Sequence, residues 1–356
     1  MDEKLRTELE SVVKDINKYI SECSYFDRFD IKEISEGLKA YFQRGGKRIR
    51  PAFAMWCCGL CGGDPKKVIP AASGLEACHT WTLIHDDIID NDDKRRGGDS
   101  VHIIGKKQAE KSFASGNFSE YGNTYAILVG DILQGISVSM ILDSVKVGVR
   151  PETAIEICRL LETETNLHLI EGELLDVQFE YMDIKNISPE LIFKMIWGKT
   201  GALIRYSAMM GAMIGLDTED IENEQVKALG EFALKIGLAF QLRDDVLGLV
   251  ADEKKLGKPV GSDIVEGKKT LTAFYALSEF SPEEKDEFLS IFGHEDKIHL
   301  TGRAVELIKK TGAIEKTEKE AQNLIDEALE ILNAFPDSKY RYVLAEFAKY
   351  MVKRDY

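Results

Sequence analysis

Hydrophobic residues recur at helical spacing along nearly the whole chain, and little interrupts that pattern. Only 8 of the 356 residues are proline, the residue that most strongly disrupts a helix interior. Residues 31–42 illustrate the period, with apolar Ile31, Ile34, Leu38 and Phe42 on one helical face. No segment shows the strict alternation that is typical of a half-buried strand. The sequence therefore predicts an all-α protein, folded as one large helical domain over residues 1–356.

Further helices are predicted along the rest of the chain. They cover 3–22, 51–61, 68–90, 124–144, 151–183, 189–215, 223–250, 268–279, 282–292, 300–311, 315–334 and 338–353. Residues 106–124 are rich in Lys, Ser, Gly and Asn, so we expect a loop insertion at about 106–124. This loop would be either a mobile surface excursion or a lid over a reaction cavity.

Charge and hydropathy limit the kinds of partner that we expect and the compartment in which the protein works. The net charge is −15, which argues against general binding to nucleic acid or to an anionic membrane. The N-terminus lacks the apolar region of a signal peptide. The most apolar run, 126–142, contains Asp131 and Gln134 and is too short to span a bilayer comfortably. We expect a cytoplasmic protein with no nucleic-acid partner and no stable membrane insertion.

The six cysteines include one Cys58-x-x-Cys61 pair. Such a pair is a redox or metal motif in some proteins, but here no second pair or histidine has matching spacing. We interpret the cysteines as small buried hydrophobic residues in a reducing cytosol.

Two segments that read as helix carry adjacent aspartates, about 160 residues apart. The first contains Asp86, Asp87 and Asp90, and the second contains Asp244 and Asp245. Asp86 and Asp90 are four residues apart, so both carboxylates leave one face of a helix and repel each other. A hard divalent cation would offset that cost, and Mg²⁺ is typically held by one or two carboxylates with water and substrate phosphates.

Basic residues lie on both sides of the first acidic motif and after the second. Arg95 and Arg96 come directly after the first motif, and Gly46, Lys47 and Arg50 lie in a glycine-containing basic segment before it. A second set, Lys258 and Lys268, follows the second motif in a glycine-rich stretch. Arginine binds non-bridging phosphate oxygens in bidentate geometry, and glycine lets the backbone approach a ligand. The pattern predicts a metal–diphosphate site.

Two further polar groups lie on apolar helical segments. Lys199 and Thr200 interrupt the apolar run 189–215, so Lys199 either extends to the surface or reaches into a polar cavity. His79 lies seven residues before Asp86, two turns along the same helix face. A single histidine is often structural, but the position of His79 on the same helix face as Asp86 favours a role in the predicted site.

Taken together, these motifs resemble those of the trans-isoprenyl diphosphate synthases of archaeal, short-chain type. The matching residues run in family order from Gly45-Gly46-Lys47-Arg48-Ile49-Arg50-Pro51 through the first aspartate motif, Gly172-Glu173-x-x-Asp176 and Lys199-Thr200. They continue through Gln241-x-x-Asp244-Asp245 and Gly257-Lys258-Pro259 to Lys349-Tyr350-x-x-x-Arg354. The resemblance implies the isoprenoid synthase fold, with helices around a central cavity, and a homodimer.

The resemblance also implies a reaction, head-to-tail condensation of isopentenyl diphosphate with an allylic diphosphate. It implies three Mg²⁺ ions, replaceable by Mn²⁺, that are held by Asp86, Asp87, Asp90, Asp244 and Asp245. The allylic diphosphate would be bound by Arg95, Lys199 and Lys258, with Thr200, Gln241 and Lys268 nearby. Isopentenyl diphosphate would be bound by Gly46, Lys47, Arg50, His79 and Arg96. Lys199, Thr200, Gln241 and Arg95 would take part in catalysis.

One departure and one size argument refine this picture. The usual third aspartate of the second motif is Gly248, and Asp252 is too distant to replace it simply. Trp81 precedes Asp86 by five residues, or roughly 7.5 Å along a helix that rises ~1.5 Å per residue. Its indole would either form the floor of the product cavity or simply be part of the core, whereas the neighbouring Thr82 is too small to add to such a floor. We expect geranylgeranyl diphosphate (C20), with C15 and C25 as alternatives.

Two other functions remain as alternatives. A terpene cyclase or another enzyme that ionises prenyl diphosphates would share the aspartate motifs, but it needs no isopentenyl site. A non-catalytic subunit of a heteromeric prenyl synthase would share the fold, but such subunits typically lose motif aspartates.

Overall fold

The structure is a computed structural model that describes residues 1–251 and 260–353. Helices dominate the described chain, so the all-α prediction is confirmed. In chain order the α-helices are α1 (Glu3–Glu22), α2 (Lys32–Gln43), α3 (Ile49–Leu60), α4 (Ile69–Ile89), α5 (Val101–Ser112), α6 (Phe118–Leu142), α7 (Pro151–Leu160), α8 (Asn166–Tyr181), α9 (Pro189–Ile196), α10 (Ala202–Leu216), α11 (Glu224–Val250), α12 (Ser262–Val265), α13 (Leu271–Glu279), α14 (Pro282–Leu289), α15 (Thr301–Lys310), α16 (Ala313–Leu332) and α17 (Lys339–Lys353).

Shorter helical turns connect these helices. The 3₁₀ turns are Ser24–Asp27, Pro65–Val68, Asp143–Val147, Ile184–Asn186 and Glu295–Leu300. The chain forms two compact units. The first unit comprises residues 3–160 and 207–226, and the second comprises, of the described residues, 1–2, 161–206, 227–251 and 260–353.

Helix α4 forms the core of the first unit and packs against α1, α3, α5 and α6. Every residue from Pro70 to Cys78 is buried, as expected for a helix that is surrounded by others. Gly74 allows α6 to approach closely, because a Cβ added there would lie 2.6 Å from the carbonyl oxygen of Ser137. This packing positions the aspartates at the C-terminal end of α4.

A short β-hairpin follows α4, where no strand was predicted. Strand β1 (Lys94–Arg95) pairs antiparallel with β2 (Gly98–Asp99). The two residues of its turn, Arg96 (φ 52°) and Gly97 (φ 74°), both have positive φ, the conformation of a tight hairpin turn with the native twist. The strands are too short for periodicity to reveal them, because two residues cannot show an alternating pattern.

The predicted loop insertion at about 106–124 is wrong over most of its length. Helix α5 continues to Ser112 and α6 begins at Phe118, so only residues 113–117 are non-helical. Gly122 serves close helix packing, since a Cβ there would lie 2.3 Å from the carbonyl oxygen of His102. Asn117 caps α6, accepting a hydrogen bond from the Glu120 backbone N–H (3.2 Å). The Gly and Asn content that suggested a loop thus reflects packing and capping.

The second unit contains two π-helical turns that interrupt helices predicted as continuous. Leu161–Thr165 precedes α8, and Trp197–Gly201 lies between α9 and α10. Such turns insert one extra residue into a helix and are frequent at functional sites. Helix α8 packs against the turn Trp197–Gly201 and against α9. Elsewhere in this unit α16 packs on α13 and α17.

One helical stretch of the described residues, Phe118–Val147, is long and apolar enough to cross a membrane. Half of its most apolar window is buried inside the protein, and the core helices of soluble proteins pass the same test. Cys57, Cys58 and Cys78 are buried, and none of them forms a disulfide within the described residues. Burial raises the pKa of the Cys58 and Cys61 thiols to about 12, so these thiols stay protonated near neutral pH.

Candidate active site

The C-terminal turn of α4 carries the first pair of predicted metal ligands. One carboxylate oxygen of Asp86 and one of Asp90 lie within 4.8 Å of each other. Asp86 is largely buried and Asp90 is exposed. A hard cation between two carboxylates at this spacing would replace their mutual repulsion with attraction. The donor set therefore fits Mg²⁺.

Asp87 has a different environment, and the structure does not support it as a direct metal ligand. Its side chain is fully buried. One carboxylate oxygen accepts a hydrogen bond from Arg95 Nε (2.6 Å), and the other accepts one from the Tyr41 hydroxyl. Burial raises the pKa of Asp87, an effect that the bonds from Arg95 and Tyr41 oppose. The resemblance gave Asp87 a supporting role in metal binding beside Asp86 and Asp90, but its carboxylate is buried within the unit.

Arg95 lies on the hairpin and faces the acids of α4. Besides Asp87, its guanidinium contacts Asp86 (3.3 Å) and Asp92 (3.2 Å). Arg44 holds the two strands of the hairpin by donating hydrogen bonds to the carbonyl oxygens of Arg95 (3.0 Å) and Asp99 (2.7 Å). The cation predicted for the allylic diphosphate is thus beside the predicted metal ligands.

A second group of cations surrounds Glu76 in the interior of the first unit. Arg48 is buried, has a left-handed backbone (φ 49°) and pairs with Glu76. It also donates to Asn17 Oδ1 (3.0 Å). Arg96 lies 3.7 Å from the same Glu76 carboxylate and donates to the Gly45 carbonyl oxygen (2.6 Å). Arg48 is therefore structural, and Glu76 is a buried counter-charge that the sequence pattern did not single out.

Beside this group, Arg50 and His79 contact each other, but their hydrogen-bonding capacity is only partly used. Arg50 Nη1 lies 3.1 Å from His79 Nε2. Arg50 Nε and His79 Nδ1 are both buried and have no hydrogen-bond partner among the described residues. Burial, followed by the charges of Arg50 and Arg96, holds the pKa of His79 well below its usual range. Buried polar groups are normally bonded, so these orphaned atoms point to an anionic ligand.

The glycine loop shapes the same region. Gly45 (φ 82°) and Gly46 (φ 150°) have backbone conformations that side-chain-bearing residues rarely adopt. A Cβ on Gly46 would lie 3.0 Å from Arg48 Nη1 and 3.1 Å from Arg96 Nη1. Gly46 therefore lets two guanidinium groups converge. Lys47 lies between Gly46 and Arg48 in this loop.

In the second unit, Lys199 lies in the π-helical turn between α9 and α10. Its ammonium contacts Asp176 (2.7 Å) and Glu173 (3.1 Å), both on α8. The two acids are three residues apart, so they share one helix face. Their motif, Gly172-Glu173-x-x-Asp176, was visible in the sequence, but their role as partners of Lys199 was not.

A polar chain links the neighbouring Thr200 to the second aspartate motif. Thr200 Oγ1 donates to Gln241 Oε1 (3.4 Å), and Gln241 Nε2 donates to Asp245 Oδ1 (3.1 Å). Burial raises the pKa of Asp245 to about 7. Asp244 precedes it on α11. The structure thus brings Thr200, Gln241 and Asp245 together, as predicted for one site.

Gly248, in place of a third aspartate, has an acidic neighbour. A Cβ on Gly248 would lie 3.1 Å from Asp263 Oδ2. Asp263 also pairs with Lys268, at 3.4 Å. The predicted ligand Lys258, like Asp252, lies outside the described residues.

The chain matches the protein-family model for polyprenyl synthetase over residues 31–308. It is 38% identical over 304 residues to the short chain isoprenyl diphosphate synthase of Methanocaldococcus jannaschii, covering 80% of this chain and 83% of that protein. It is 34% identical over 314 residues to the geranylgeranyl diphosphate synthase of Saccharolobus solfataricus, covering 88% of this chain and 87% of that protein.

A solved structure shows the same fold. The geranylgeranyl pyrophosphate synthetase from Pyrococcus horikoshii superposes with a TM-score of 0.84 at 35% identity, covering 99% of this chain and 98% of that one. The family model covers more than half of the chain, and it agrees with both relatives and with this structure. The chain therefore belongs to the polyprenyl synthetase family.

Proposed function

We propose that the protein condenses isopentenyl diphosphate with an allylic diphosphate to give a short-chain all-trans prenyl diphosphate. The observation that carries the proposal is the Arg50–His79 pair, in which the buried Arg50 Nε and His79 Nδ1 lack hydrogen-bond partners within the described chain. The charged neighbours of Arg50 include Glu76 and Arg96, whereas Arg95 pairs with Asp86 and Asp87. A condensing enzyme needs sites for two diphosphates, whereas an enzyme that only ionises one substrate needs a single site.

The isopentenyl diphosphate would bind at the cationic group that contains Arg50 and His79. Gly46 permits close approach, and Lys47, Arg50 and Arg96 supply positive charge. His79 stays neutral, because its pKa is depressed, so it can donate or accept one hydrogen bond without adding charge. An anion bound beside Arg50 would satisfy Arg50 Nε, which is buried and finds no partner in the described part of the protein.

The resemblance assigns the allylic diphosphate to Arg95 and Lys199, with Lys258 and Lys268 contributing further charge. It assigns Mg²⁺ to Asp86, Asp90 and Asp244, with Asp245 supporting, and it implies three ions. Mn²⁺ would substitute, since both ions accept carboxylate and water oxygens. Bound Mg²⁺ supplies electrostatic stabilisation for charge that develops on the leaving diphosphate.

The residues of the protein would direct the remaining chemistry. The C–O bond of the allylic substrate breaks, and both its electrons leave with the diphosphate, where Arg95 and Lys199 stabilise the charge. The oxygen atoms of Thr200 and Gln241 would face the allylic cation with their negative ends. The isopentenyl double bond then forms the new C–C bond, and the proton it loses passes to the departing diphosphate.

We further propose a C20 product and a homodimer. Trp81 would limit the chain length as the floor of the product cavity. For the dimer, α6 displays a stripe of residues seven apart: Tyr121, Leu128, Gly135 and Leu142. The three large members are each more than 40% exposed, and a Cβ on Gly135 would meet no described atom within 4 Å. A heptad stripe of this kind packs against another helix, which we assign to a second copy. The cytoplasm remains the proposed compartment.

An assay with labelled isopentenyl diphosphate, Mg²⁺ and each allylic primer tests the reaction. Incorporation of label into an extended prenyl diphosphate is the expected result. A cyclised hydrocarbon without incorporation would indicate a terpene cyclase. Inertness of the purified chain, reversed only by a second protein, would indicate a subunit of a heteromeric synthase.

A further inference from the structure

A buried chain of hydrogen bonds runs from Tyr41 on α2 through Asp87 to Arg95. Tyr41 is fully buried, and its hydroxyl bonds to Asp87 Oδ2. The other oxygen of Asp87 accepts from Arg95 Nε at 2.6 Å. No sequence motif pointed to Tyr41, which lies 46 positions before Asp87.

The direction of each bond follows from the number of hydrogens. The backbone N–H of Val101 donates to the Tyr41 hydroxyl oxygen (3.1 Å). The single hydroxyl hydrogen is therefore directed to Asp87, which accepts. Asp87 thus accepts from Tyr41 on one side and from Arg95 on the other, and this pattern suits an ionised carboxylate. With both oxygens engaged, the carboxylate has little freedom to rotate.

The consequence for Arg95 is that its Nε edge is anchored inside the protein. The Arg95 side chain is 26% exposed, and its guanidinium contacts Asp86 (3.3 Å) and Asp92 (3.2 Å). The orientation of this partly exposed group is therefore set by buried partners. Arginine presents its donors in a rigid fork, so fixing one edge also fixes the direction of the others.

Tyr41 also contacts the other arginine of the hairpin turn. Its carbonyl oxygen accepts from Arg96 Nη1 (3.1 Å). The guanidinium of Arg44, which holds the hairpin strands, lies 5.7 Å from the Tyr41 ring centroid. Tyr41 thus contacts the hairpin directly through its carbonyl oxygen, and indirectly through Asp87 and through Arg44.

We infer that Tyr41 is a positioning residue, which aligns Arg95 through Asp87 for binding of the allylic diphosphate. This inference rests on the proposed function, because it takes Arg95 as a ligand of that diphosphate. Without the hydroxyl, Asp87 would lose one of its two anchors, and Arg95 would spread over several orientations. Preorganised donors bind a charged group more strongly than donors that must first be ordered.

A double-mutant cycle tests this inference. Tyr41→Phe removes the hydroxyl and keeps the ring, and Arg95→Lys keeps the charge and removes the fork. The measurements are the dissociation constant of a non-reactive allylic thiolodiphosphate with Mg²⁺ and the KM and kcat for the allylic substrate. We expect Tyr41→Phe to weaken binding about tenfold when Arg95 is present, the loss of one charge-assisted bond, and less than about twofold when Arg95 is replaced by Lys.

Tyr125→Phe is the matched control. Tyr125 is likewise buried, and its hydroxyl donates to the Glu33 carbonyl oxygen in the same unit. Its loss should lower the melting temperature without changing allylic binding. Asp87→Asn provides a second variant if Tyr41→Phe folds poorly, and it should show the same dependence on Arg95.

Two outcomes would overturn the inference, and one would overturn the function beneath it. If Tyr41→Phe binds the analogue as tightly as the parent protein, Tyr41 does not position Arg95. An equal loss in the parent background and in the Arg95→Lys background would show that the effect is structural. If Arg95→Lys alone leaves binding unchanged, Arg95 does not bind the allylic diphosphate, and this part of the proposed function fails with the inference.

Discussion

The backbones of Gly172 and Lys199 are in such close contact that only glycine fits at position 172. A Cβ built on Gly172 would lie 2.1 Å from the Lys199 backbone nitrogen. The contact joins α8 to the π-helical turn Trp197–Gly201. It also brings the Lys199 ammonium to Asp176 and Glu173, which follow Gly172 on α8. The packing of α8 and the position of Lys199 therefore both depend on the absence of a side chain at Gly172.

Gly172→Ala should both destabilise the protein and impair catalysis. The added methyl meets backbone atoms, which cannot move aside as a flexible side chain can, so we expect a loss of roughly 1–3 kcal/mol. Urea unfolding and the turnover number would measure the two effects. Gly302→Ala on α15 is the control, since its Cβ meets no described atom within 4 Å, and it should gain about 0.5–1 kcal/mol from helix propensity. Equal stability of Gly172→Ala and the parent would contradict this account.

Replacement of Asp86 or Asp90 by Asn should abolish metal-dependent catalysis. Each change removes a charged oxygen ligand from the pair within 4.8 Å, and we expect about a 100-fold or greater loss of turnover. Calorimetric titration of Mg²⁺ in the presence of an allylic thiolodiphosphate gives an independent readout. Asp93→Asn removes an exposed charge just beyond the motif and should have little effect. Unaltered Mg²⁺ affinity in both variants would exclude them as ligands.

Trp81→Ala should lengthen the product. The indole lies on α4, is partly buried and packs edge-on against His85, with ring centroids 5.9 Å apart. Its Nε1 has no hydrogen-bond partner within the described part of the chain, so no polar contact explains its presence. Chromatography of the dephosphorylated products would reveal chains beyond C20, whereas Thr82→Ala should leave the product unchanged. An unchanged product distribution in Trp81→Ala would remove Trp81 from the length argument.

The substrate-free protein should lose stability as the pH falls below about 6.5, in part through His79. Burial and the nearby arginines lower the pKa of His79 well below the usual value. The unfolded chain therefore binds a proton that the folded protein does not, and stability declines by at most about 1.4 kcal/mol per pH unit for this one group. When the free energy of unfolding is measured with urea between pH 5 and 8, it should depend less steeply on pH in His79→Gln than in the parent protein.

His102 needs a separate measurement, because burial also lowers its pKa. His102→Gln should flatten the same curve independently of His79→Gln. If His79→Gln retains the full slope while His102→Gln removes it, His79 is not the titrating group.

Leu128→Glu should convert the protein to a monomer. Leu128 is 57% exposed at the centre of the α6 stripe, and a charge there would be desolvated in a dimer interface. Light scattering after size exclusion should then give the 40.0 kDa chain mass instead of twice that value. Ile31→Glu, at an equally exposed apolar site outside the stripe, should remain dimeric. A parent protein that is already monomeric would refute the proposed interface.

Local patterns anticipated most helices, because helix periodicity is a property of neighbouring residues. Helix α1 has the predicted bounds, Glu3–Glu22, and α4 ends one residue before the predicted end at Asp90. The pattern failed at 106–124, where glycine and asparagine serve helix packing and capping. It also failed at the hairpin Lys94–Asp99, where four paired residues are too few to carry a period.

By itself, the sequence determined the helical class and the family and named candidate site residues, since periodicity, charge and the order of motifs can all be read along the chain. Only the tertiary structure decided how equivalent-looking residues differ. Asp87 is buried and bonded to both Tyr41 and Arg95, whereas Asp86 and Asp90 bring carboxylate oxygens within 4.8 Å of each other. Arg48 is paired with Glu76, whereas Arg50 keeps a nitrogen that no described residue satisfies. These distinctions depend on desolvation and on partners far away in the sequence, which no spacing rule contains.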